Sequence, residues 1–178
     1  MVYIFLGTGF EEIEALTACD LMRRAGIEVA LVGVNGMEIV GSHGITVRTD
    51  MPLEGVRADN MEMVVLPGGL RGVQSLMNCQ TVMEITKWAW GAGKYVCAIC
   101  AAPTILAKLG LLNDMPATCY PGKEPEMGNA RIKDAPVVRK GRLITGRAAG
   151  SSILFALTMI SALKGDDEAQ RISQQIVF

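Results

Sequence analysis

Short apolar runs recur along the chain, and each has the length of one β-strand. Four such runs lie at residues 2–6, 28–34, 61–67 and 94–99. Continuous runs of β-prone residues are typical of parallel strands that are buried on both faces of a sheet. Segments of helical length lie between them, at residues 11–25, 70–91 and 101–110. The alternation of strand and helix predicts a doubly wound α/β sandwich with a mostly parallel sheet and helices on both faces.

Two dipeptides between short apolar runs have the composition of hairpin turns. They are Asn35-Gly36 and Lys140-Gly141. Because such turns connect antiparallel strands, they predict small antiparallel additions at the edges of the sheet.

The C-terminal part contains one weakly patterned stretch and one strongly apolar stretch. Residues 113–136 hold four of the seven prolines and are predicted to form a loop-rich surface segment. Residues 153–163 are apolar but have about half the ~20 residues needed to span a bilayer, so they predict a buried helix. With 178 residues and no internal repeat, the chain is expected to fold as a single domain over residues 1–178.

Charge and targeting signals narrow the set of partners. The chain has 17 basic and 18 acidic side chains. This near balance argues against a nucleic-acid or anionic-membrane partner held by bulk electrostatics. The N-terminal segment lacks a basic start and runs into three glutamates, so we expect a cytoplasmic location.

Five cysteines and a single histidine restrict the chemistry further. An odd number of cysteines in a core-rich chain indicates a reducing compartment. Any Cys-His pair would have to use His43, which lies in the turn-like segment 41–44 and is expected at the surface or at a subunit interface. The motifs for dinucleotides, P-loop phosphates and a GxSxG serine are absent, and no histidine pair or second CxxC completes a zinc site. No cofactor and no metal are therefore expected.

Cys100 lies where a nucleophile would be placed. It directly follows a predicted strand and precedes a helix start with Pro103 in the first turn. Unpaired backbone N–H groups and the helix dipole would stabilise its thiolate. The alternative is a small buried hydrophobe, and this pattern alone does not decide between the two. A redox pair with Cys97 is less favoured, because Cys97 falls inside the strand.

The helix predicted at residues 11–25 carries a carboxylate on its apolar face. At 100° per residue, Glu14 falls in the apolar arc, whereas Glu12 falls among the polar residues. Glu11 also falls in the apolar arc, but at the helix start it can reach water. Burial of a carboxylate is unfavourable without a partner, so Glu14 is expected to have a raised pKa or a dedicated partner. The alternative is that Glu14 extends to solvent at the helix end.

Two further features of the pattern concern binding. Ile13 and Leu16 fall among the polar residues of the same helix, and their exposure would suit a subunit interface. Gly68 and Gly69 follow a predicted strand, and their N–H groups could bind an oxyanion. Taken alone, the sequence PGG is a weak signal.

Several segments together resemble the DJ-1/ThiJ/PfpI family, in particular its DJ-1-like branch. The resemblance covers essentially the whole chain and is carried by the segments GTGFEEIEA, LMRRAGIEV, VVLPGG, AICAAPTILA and TGRAAGSS. It implies a flavodoxin-like homodimer with a reactive cysteine on a nucleophile elbow, which matches Cys100, and a protonated glutamate that matches Glu14. The family's backbone donors near the thiol match Gly68, Gly69 and Ala101. The RRAG match places Arg24 near the dimer interface, as an auxiliary residue.

The chain departs from the family pattern at two positions. Tyr120 stands where the family often has a histidine before a proline, and Ala101 stands where protease-like relatives have a histidine after the nucleophile. A Cys-His proteolytic pair is therefore unsupported. Acid-base work would fall to Glu14, with Tyr120 or water as an auxiliary.

The resemblance implies two functions of different classes. The first is a cofactor-independent enzyme that acts on α-oxoaldehydes or on groups glycated by them, of the glyoxalase III or deglycase type. The second is a redox sensor or chaperone-like stress protein that works through oxidation of Cys100. A hydrolase of the PfpI type ranks last, because the histidine is missing.

Overall fold

The computed structural model describes residues 1–178, which form eleven strands and six α-helices. The strands are β1 (Val2–Leu6), β2 (Val29–Gly33), β3 (Glu38–Val40), β4 (Thr46–Arg48), β5 (Met51–Pro52), β6 (Met63–Leu66), β7 (Tyr95–Ile99), β8 (Pro116–Ala117), β9 (Arg131–Ile132), β10 (Val137–Lys140) and β11 (Leu143–Gly146). The helices are α1 (Glu12–Arg24), α2 (Leu70–Asn78), α3 (Gln80–Gly91), α4 (Pro103–Lys108), α5 (Ser152–Lys164) and α6 (Asp166–Gln175).

A seven-stranded sheet in the order β10-β11-β7-β6-β1-β2-β5 divides the molecule into layers. Every pair in this sheet is parallel except β10 with β11. Side chains of β1 alternate between two cores: Ile4 packs with residues of α1, α5 and α6, whereas Phe5 packs with residues of α2, α3 and α4. Burial on both faces explains the continuous apolar runs. The predicted α/β sandwich is thus confirmed.

Local charges and glycine geometry fix the ends of α1. Acidic side chains occupy its first turn, and Arg23 and Arg24 occupy its last turn, so both ends complement the helix dipole. After the helix, Gly26 adopts a φ of +65°, and its N–H donates to the carbonyl of Arg23. A left-handed glycine at this place ends a helix without a Cβ clash.

The two hairpin predictions had different outcomes. Lys140-Gly141 does connect the antiparallel strands β10 and β11 at one edge of the main sheet, as predicted. Asn35-Gly36 was wrongly assigned, because β3 pairs with β4 in a separate two-stranded sheet and not with β2. The Asn35 side chain instead accepts hydrogen bonds from the Thr8 N–H and the Ser75 hydroxyl. These contacts connect the turn to the loop after β1 and to helix α2.

Three other expectations need revision. The helix predicted over residues 70–91 is two helices, because Cys79 adopts an extended conformation with φ −91° and ψ 101°. The segment 113–136 is loop-rich, with only the short parallel pair β8 and β9, but residues 117–119 and Met127 are buried rather than on the surface. The C-terminal helix α6 had no counterpart in the sequence-based prediction.

The apolar stretch 153–163 forms the buried helix α5, as predicted. It packs against α1, α6 and the sheet, and Phe155 and Ile160 have no solvent exposure. None of the helices has both the length and the apolar character required to cross a bilayer.

The helix α2 packs directly against the loop that precedes α1, and Gly72 allows this close approach. A Cβ at Gly72 would lie 2.6 Å from Phe10 Cα and 2.7 Å from Phe10 N. We expect Gly72→Ala to lower the free energy of unfolding by about 1–3 kcal/mol, because backbone atoms must move. Urea denaturation measures the change.

Gly91 provides a matched control for this prediction. It also lies in a helix, but a Cβ there would meet no atom within 4 Å. Gly91→Ala should leave stability unchanged or raise it by up to about 1 kcal/mol. Equal effects of the two substitutions would contradict the close approach of α2 to the loop.

Candidate active site

The carboxyl ends of three neighbouring strands meet at one edge of the sheet. β7, β6 and β1 are adjacent, and each is followed by a turn that leads into a helix. Hydrogen bonds join two of these turns: the Glu11 N–H donates to the carbonyl of Gly68 at 3.0 Å, and the Gly72 N–H donates to the carbonyl of Gly9 at 3.0 Å. In open parallel sheets this edge is where ligands bind.

Cys100 lies in the turn after β7 with a φ of +65°, in the left-handed region. A non-glycine residue held in this region costs of order 1–3 kcal/mol, so the surrounding structure must enforce it. Two hydrogen bonds from distant segments do so. The Cys100 N–H donates to the carbonyl of Gly146 at 3.0 Å, and the Tyr120 N–H donates to the carbonyl of Cys100 at 2.7 Å. The result is a sharp strand-to-helix turn that presents the side chain.

Glu14 lies in the first turn of α1 and has no solvent exposure. Its Oε2 accepts a hydrogen bond of 2.7 Å from the Gly68 N–H. Its Oε1 is buried and makes no hydrogen bond of good geometry. The helical periodicity therefore predicted the direction of this side chain correctly, and the alternative of an exposed carboxylate is wrong.

Gly68 lies between the thiol and the carboxyl, and both groups come close to it because it has no side chain. A Cβ at this residue would lie 2.6 Å from Glu14 Oε2 and 3.1 Å from Cys100 Sγ. Both reactive groups therefore border the space that a larger residue would fill. Glycine is needed here because of this close approach, since its φ is not in the left-handed region.

The Glu14 carboxyl and the Cys100 thiol each change the pKa of the other. Burial and, to a smaller extent, the nearby Glu11 carboxylate raise the pKa of Glu14 to about 7, although the Gly68 N–H and the thiol lower it. Burial also raises the pKa of Cys100 to about 12, with the Glu14 carboxylate as the next cause. The N–H groups of Gly69 and Ala101 oppose this rise.

These shifts correct the expectation of a stabilised thiolate. The backbone groups of Gly69 and Ala101 lower the pKa of Cys100 but do not outweigh burial and the neighbouring charge, and the helix that follows, α4, has only six residues. While Glu14 is ionised, the thiol keeps its proton. Protonation of Glu14 removes one of the causes that raise the pKa of Cys100, although burial remains, so the two groups titrate as a coupled pair.

A pocket of 200 Å³ opens over the thiol. Its walls are Glu11, Gly69, Leu70, Cys100, Ala101 and Tyr120. The N–H groups of Gly69 and Ala101 lower the pKa of the thiol, whereas the N–H of Gly68 donates to Glu14 Oε2. The side chains of Leu70 and Tyr120 are exposed at the mouth. A pocket of this size suits a small molecule.

Two other residues of interest lie outside the pocket. Arg24 is at the opposite end of α1 from Glu14, about 15 Å along the helix axis, and pairs with Asp20 at 2.9 Å. The structure does not bring Arg24 to the thiol. His43 is exposed, as predicted, and its Nδ1 lies 3.0 Å from Glu12 Oε2.

Glu12 is a residue whose place the sequence did not reveal. Although the helical wheel assigns it to the polar arc, it is buried beneath the segment that contains Ser42 and His43. The main-chain N–H of His43 donates to Glu12 Oε1 at 2.8 Å. Hydrogen bonds to its charged form lower the pKa of Glu12 to about 2, although burial opposes them. Only the tertiary position of the β3–β4 hairpin produces this burial.

All five cysteines are free thiols, but their surroundings differ. Cys19, Cys97 and Cys119 are buried, and the side chain of Cys97 lies in the core formed by the sheet and α1. Cys79 is partly exposed at the junction of α2 and α3. Cys100 alone combines partial exposure with a pocket and a buried carboxyl.

An open α/β sheet that presents a strained cysteine at a strand-to-helix turn defines the class of nucleophile-elbow proteins. A sequence model of the DJ-1/PfpI family matches residues 1–162, and the chain belongs to that family.

Three known proteins illustrate the relationship. DJ-1beta of Drosophila melanogaster is 36% identical over 177 residues, which cover 98% of this chain and 95% of that protein. A Pyrococcus abyssi protein named as a deglycase is 32% identical and matches 92% of this chain and 99% of its own length. The solved structure of oxidized DJ-1 from Toxoplasma gondii has a TM-score of 0.95 and 28% identity, with 99% of this chain and 97% of that chain covered.

The coupling between Glu14 and Cys100 can be tested by titration. Glu14→Gln is expected to lower the pKa of Cys100, because the amide removes the negative charge that adds to the effect of burial. The wild-type carboxyl is ionised above pH about 7. At pH 8 we therefore expect alkylation of Cys100 to be about tenfold faster in the variant than in the wild type. Iodoacetamide labelling followed by mass spectrometry measures the rate.

Glu38→Gln serves as the control, because it removes an exposed carboxylate on β3. Its labelling profile should match that of the wild type. If the Glu14→Gln profile also matched the wild type, the carboxylate would not control the thiol.

Proposed function

We propose that this protein is a cysteine-dependent, cofactor-independent enzyme that acts on α-oxoaldehydes, of the glyoxalase III or deglycase type. The observation that carries this proposal is the buried Glu14 carboxyl beside the thiol, with a pKa of about 7. A group that titrates near neutrality can both accept and return a proton. Cys100 supplies a nucleophile at the base of a pocket of small-molecule size.

In the first step the Cys100 sulfur attacks the aldehyde carbon, and its proton passes to the Glu14 carboxylate. A C–S bond forms, and the π electrons of the C=O bond move to oxygen. We assign the binding of this oxyanion to the N–H groups of Gly69 and Ala101, and their lowering of the pKa of the thiol supports that role. Return of the proton from Glu14 to oxygen then gives a neutral hemithioacetal. Transfer to Glu14 removes the need for a free thiolate, which burial disfavours.

In the second stage Glu14 moves a proton between adjacent carbons. Its carboxylate removes the hydrogen from the carbon that carries sulfur, while the hydroxyl proton on that carbon passes to the neighbouring carbonyl oxygen, to give an enediolate beside protonated Glu14. Delivery of the proton to the second carbon leaves a thioester. The first carbon is thereby oxidised and the second reduced, so no external redox agent is needed. Water then cleaves the C–S bond and releases a hydroxy acid and the thiol.

The same groups could act on an adduct of an α-oxoaldehyde with an amine or thiol. The Pyrococcus abyssi relative named as a deglycase supports this version of the activity. The exposed mouth of the pocket, formed in part by Leu70 and Tyr120, suits a substrate attached to a larger molecule.

Formation of D-lactate from methylglyoxal provides the test. Cys100→Ser and Glu14→Gln should each lower kcat/KM by about 100-fold or more, because the first removes the nucleophile and the second the proton carrier. Cys79→Ser, which changes the other partly exposed thiol, should retain wild-type turnover. Undiminished turnover in either of the first two variants would exclude this mechanism.

The second candidate function is a redox sensor or chaperone-like stress protein. The Toxoplasma gondii relative is known in an oxidized form, and here Cys100 is a partly exposed thiol beside a hydrogen-bonding carboxyl. Limited peroxide should convert Cys100 to the sulfinic acid before Cys79 is modified, because the neighbouring Glu14 carboxyl takes up the thiol proton and hydrogen-bonds the product. Peptide mass spectrometry locates the added oxygen. Equal modification of all five cysteines would contradict a dedicated sensor.

We also infer that the protein acts as a cytoplasmic homodimer that has no nucleic-acid or membrane partner. The support for a dimer is Ile13, which lies on the outer face of α1 and is 55% exposed, next to the half-buried Leu16. Burial of such side chains against a second copy would be favourable. Sedimentation velocity of the wild type and Ile13→Glu measures the oligomeric state.

A further inference from the structure

A second group of reactive side chains lies beside the pocket, where α1 begins. Glu11, Glu12 and His43 bring two carboxylates and one imidazole together, and we call them the Glu11–Glu12–His43 cluster. One ligand atom from each residue lies within 4.8 Å of the other two. Neither the nucleophile nor the proton carrier of the proposed reaction belongs to this cluster. Glu11 is shared, since it also forms part of the pocket wall.

The spacing of the three ligand atoms resembles a coordination sphere. His43 Nδ1 lies 3.0 Å from Glu12 Oε2 and 3.5 Å from Glu11 Oε1. Tetrahedral ligands at ~2.1 Å from a zinc-class ion are ~3.4 Å apart. The two distances from His43 are therefore close to this value, and the two carboxylate ligand atoms lie within 4.8 Å of each other. His43 is exposed, so its ring can adjust without disturbing the core.

The surroundings hold one of the carboxylates in place. Glu12 Oε1 accepts the hydrogen bond from the main-chain N–H of His43, which leaves Oε2 directed at the cluster. Outer hydrogen bonds of this kind orient metal-binding carboxylates. The hydroxyl of Ser42 lies 3.0 Å from Glu12 Oε2 and 3.1 Å from Glu11 Oε2, so it adds a further oxygen.

The charge of the cluster also favours a cation. The only ion pairs of Glu11 and Glu12 are those with His43, and no lysine or arginine pairs with either carboxylate. Two negative charges therefore face at most one positive charge. The N-terminus of α1 repels a cation, but with about half an elementary charge it does not neutralise two carboxylates.

We propose that the Glu11–Glu12–His43 cluster binds a divalent cation of the zinc class beside the Cys100 pocket. Carboxylate and imidazole ligands suit Zn²⁺ and Co²⁺ and need no thiolate. The sequence suggested no metal site, because His43 and the two glutamates are about 30 residues apart and only the β3–β4 hairpin brings them together.

Co²⁺ is the probe for the test, since its visible spectrum reports coordination and would reveal a thiolate ligand. The full-length wild type should bind one Co²⁺ per chain, without a thiolate charge-transfer band. Because the chain has a single histidine, the His43 ring protons should show a large paramagnetic shift. His43→Ala and Glu11→Gln should each weaken binding by at least about tenfold.

Glu38→Gln is the matched control, because it removes an exposed carboxylate on β3 of the same hairpin. Its Co²⁺ affinity should equal that of the wild type. The proposal is overturned if Co²⁺ fails to bind, if His43→Ala binds equally well, or if a thiolate band appears that Cys100→Ser abolishes. None of these readouts depends on turnover of methylglyoxal.

Discussion

A carboxyl group with no solvent exposure lies at the centre of the site, and its burial constrains the elements around it. Removal of a carboxylate from water is strongly unfavourable unless the group is hydrogen-bonded or takes up a proton. Glu14 does both, through the Gly68 N–H at 2.7 Å and a pKa raised to about 7. The hydrogen bond requires the turn after β6 to approach α1 so closely that residue 68 has no room for a side chain.

The backbone of Cys100 is held by the same convergence of strands. Its left-handed conformation is unfavourable by itself and depends on hydrogen bonds to Gly146, the last residue of β11, and to Tyr120, which follows β8. The thiol and the carboxyl therefore meet only in the complete fold. Their mutual effect on ionisation is a property of the pair and cannot be assigned to either residue alone.

The sequence-based predictions were correct where the periodicity of a strand or helix determines which way a side chain points. The buried strands produced continuous apolar runs, and the 3.6-residue period directed Glu14 inward. The predictions were wrong where contacts between residues distant in the sequence determine burial or strand pairing. Glu12 is buried by a hairpin about 30 residues away. Asn35-Gly36 does not join two paired strands, because β3 pairs with β4 and not with β2.

The prediction of a stabilised Cys100 thiolate failed for a related reason. A local pattern of strand, cysteine and helix start shows the backbone donors, but it shows neither the degree of burial nor the short length of α4. Long-range packing sets both of the effects that raise the pKa, namely desolvation and the Glu14 charge. The local sequence around a nucleophile therefore predicts where the residue lies in the fold better than it predicts the pKa of its side chain.

A carboxylic acid can replace imidazole in this pocket because burial changes its range of titration. An exposed glutamate, with a pKa of about 4.3, would be a weak base at neutral pH. Burial moves Glu14 into the range where histidine titrates, and the nearby Glu11 adds to the shift. One oxygen of the carboxyl is fixed by Gly68, and the other has no partner. The hydrogen bond to the fixed oxygen orients the group, and in the proposed reaction the carboxyl exchanges a proton with the thiol.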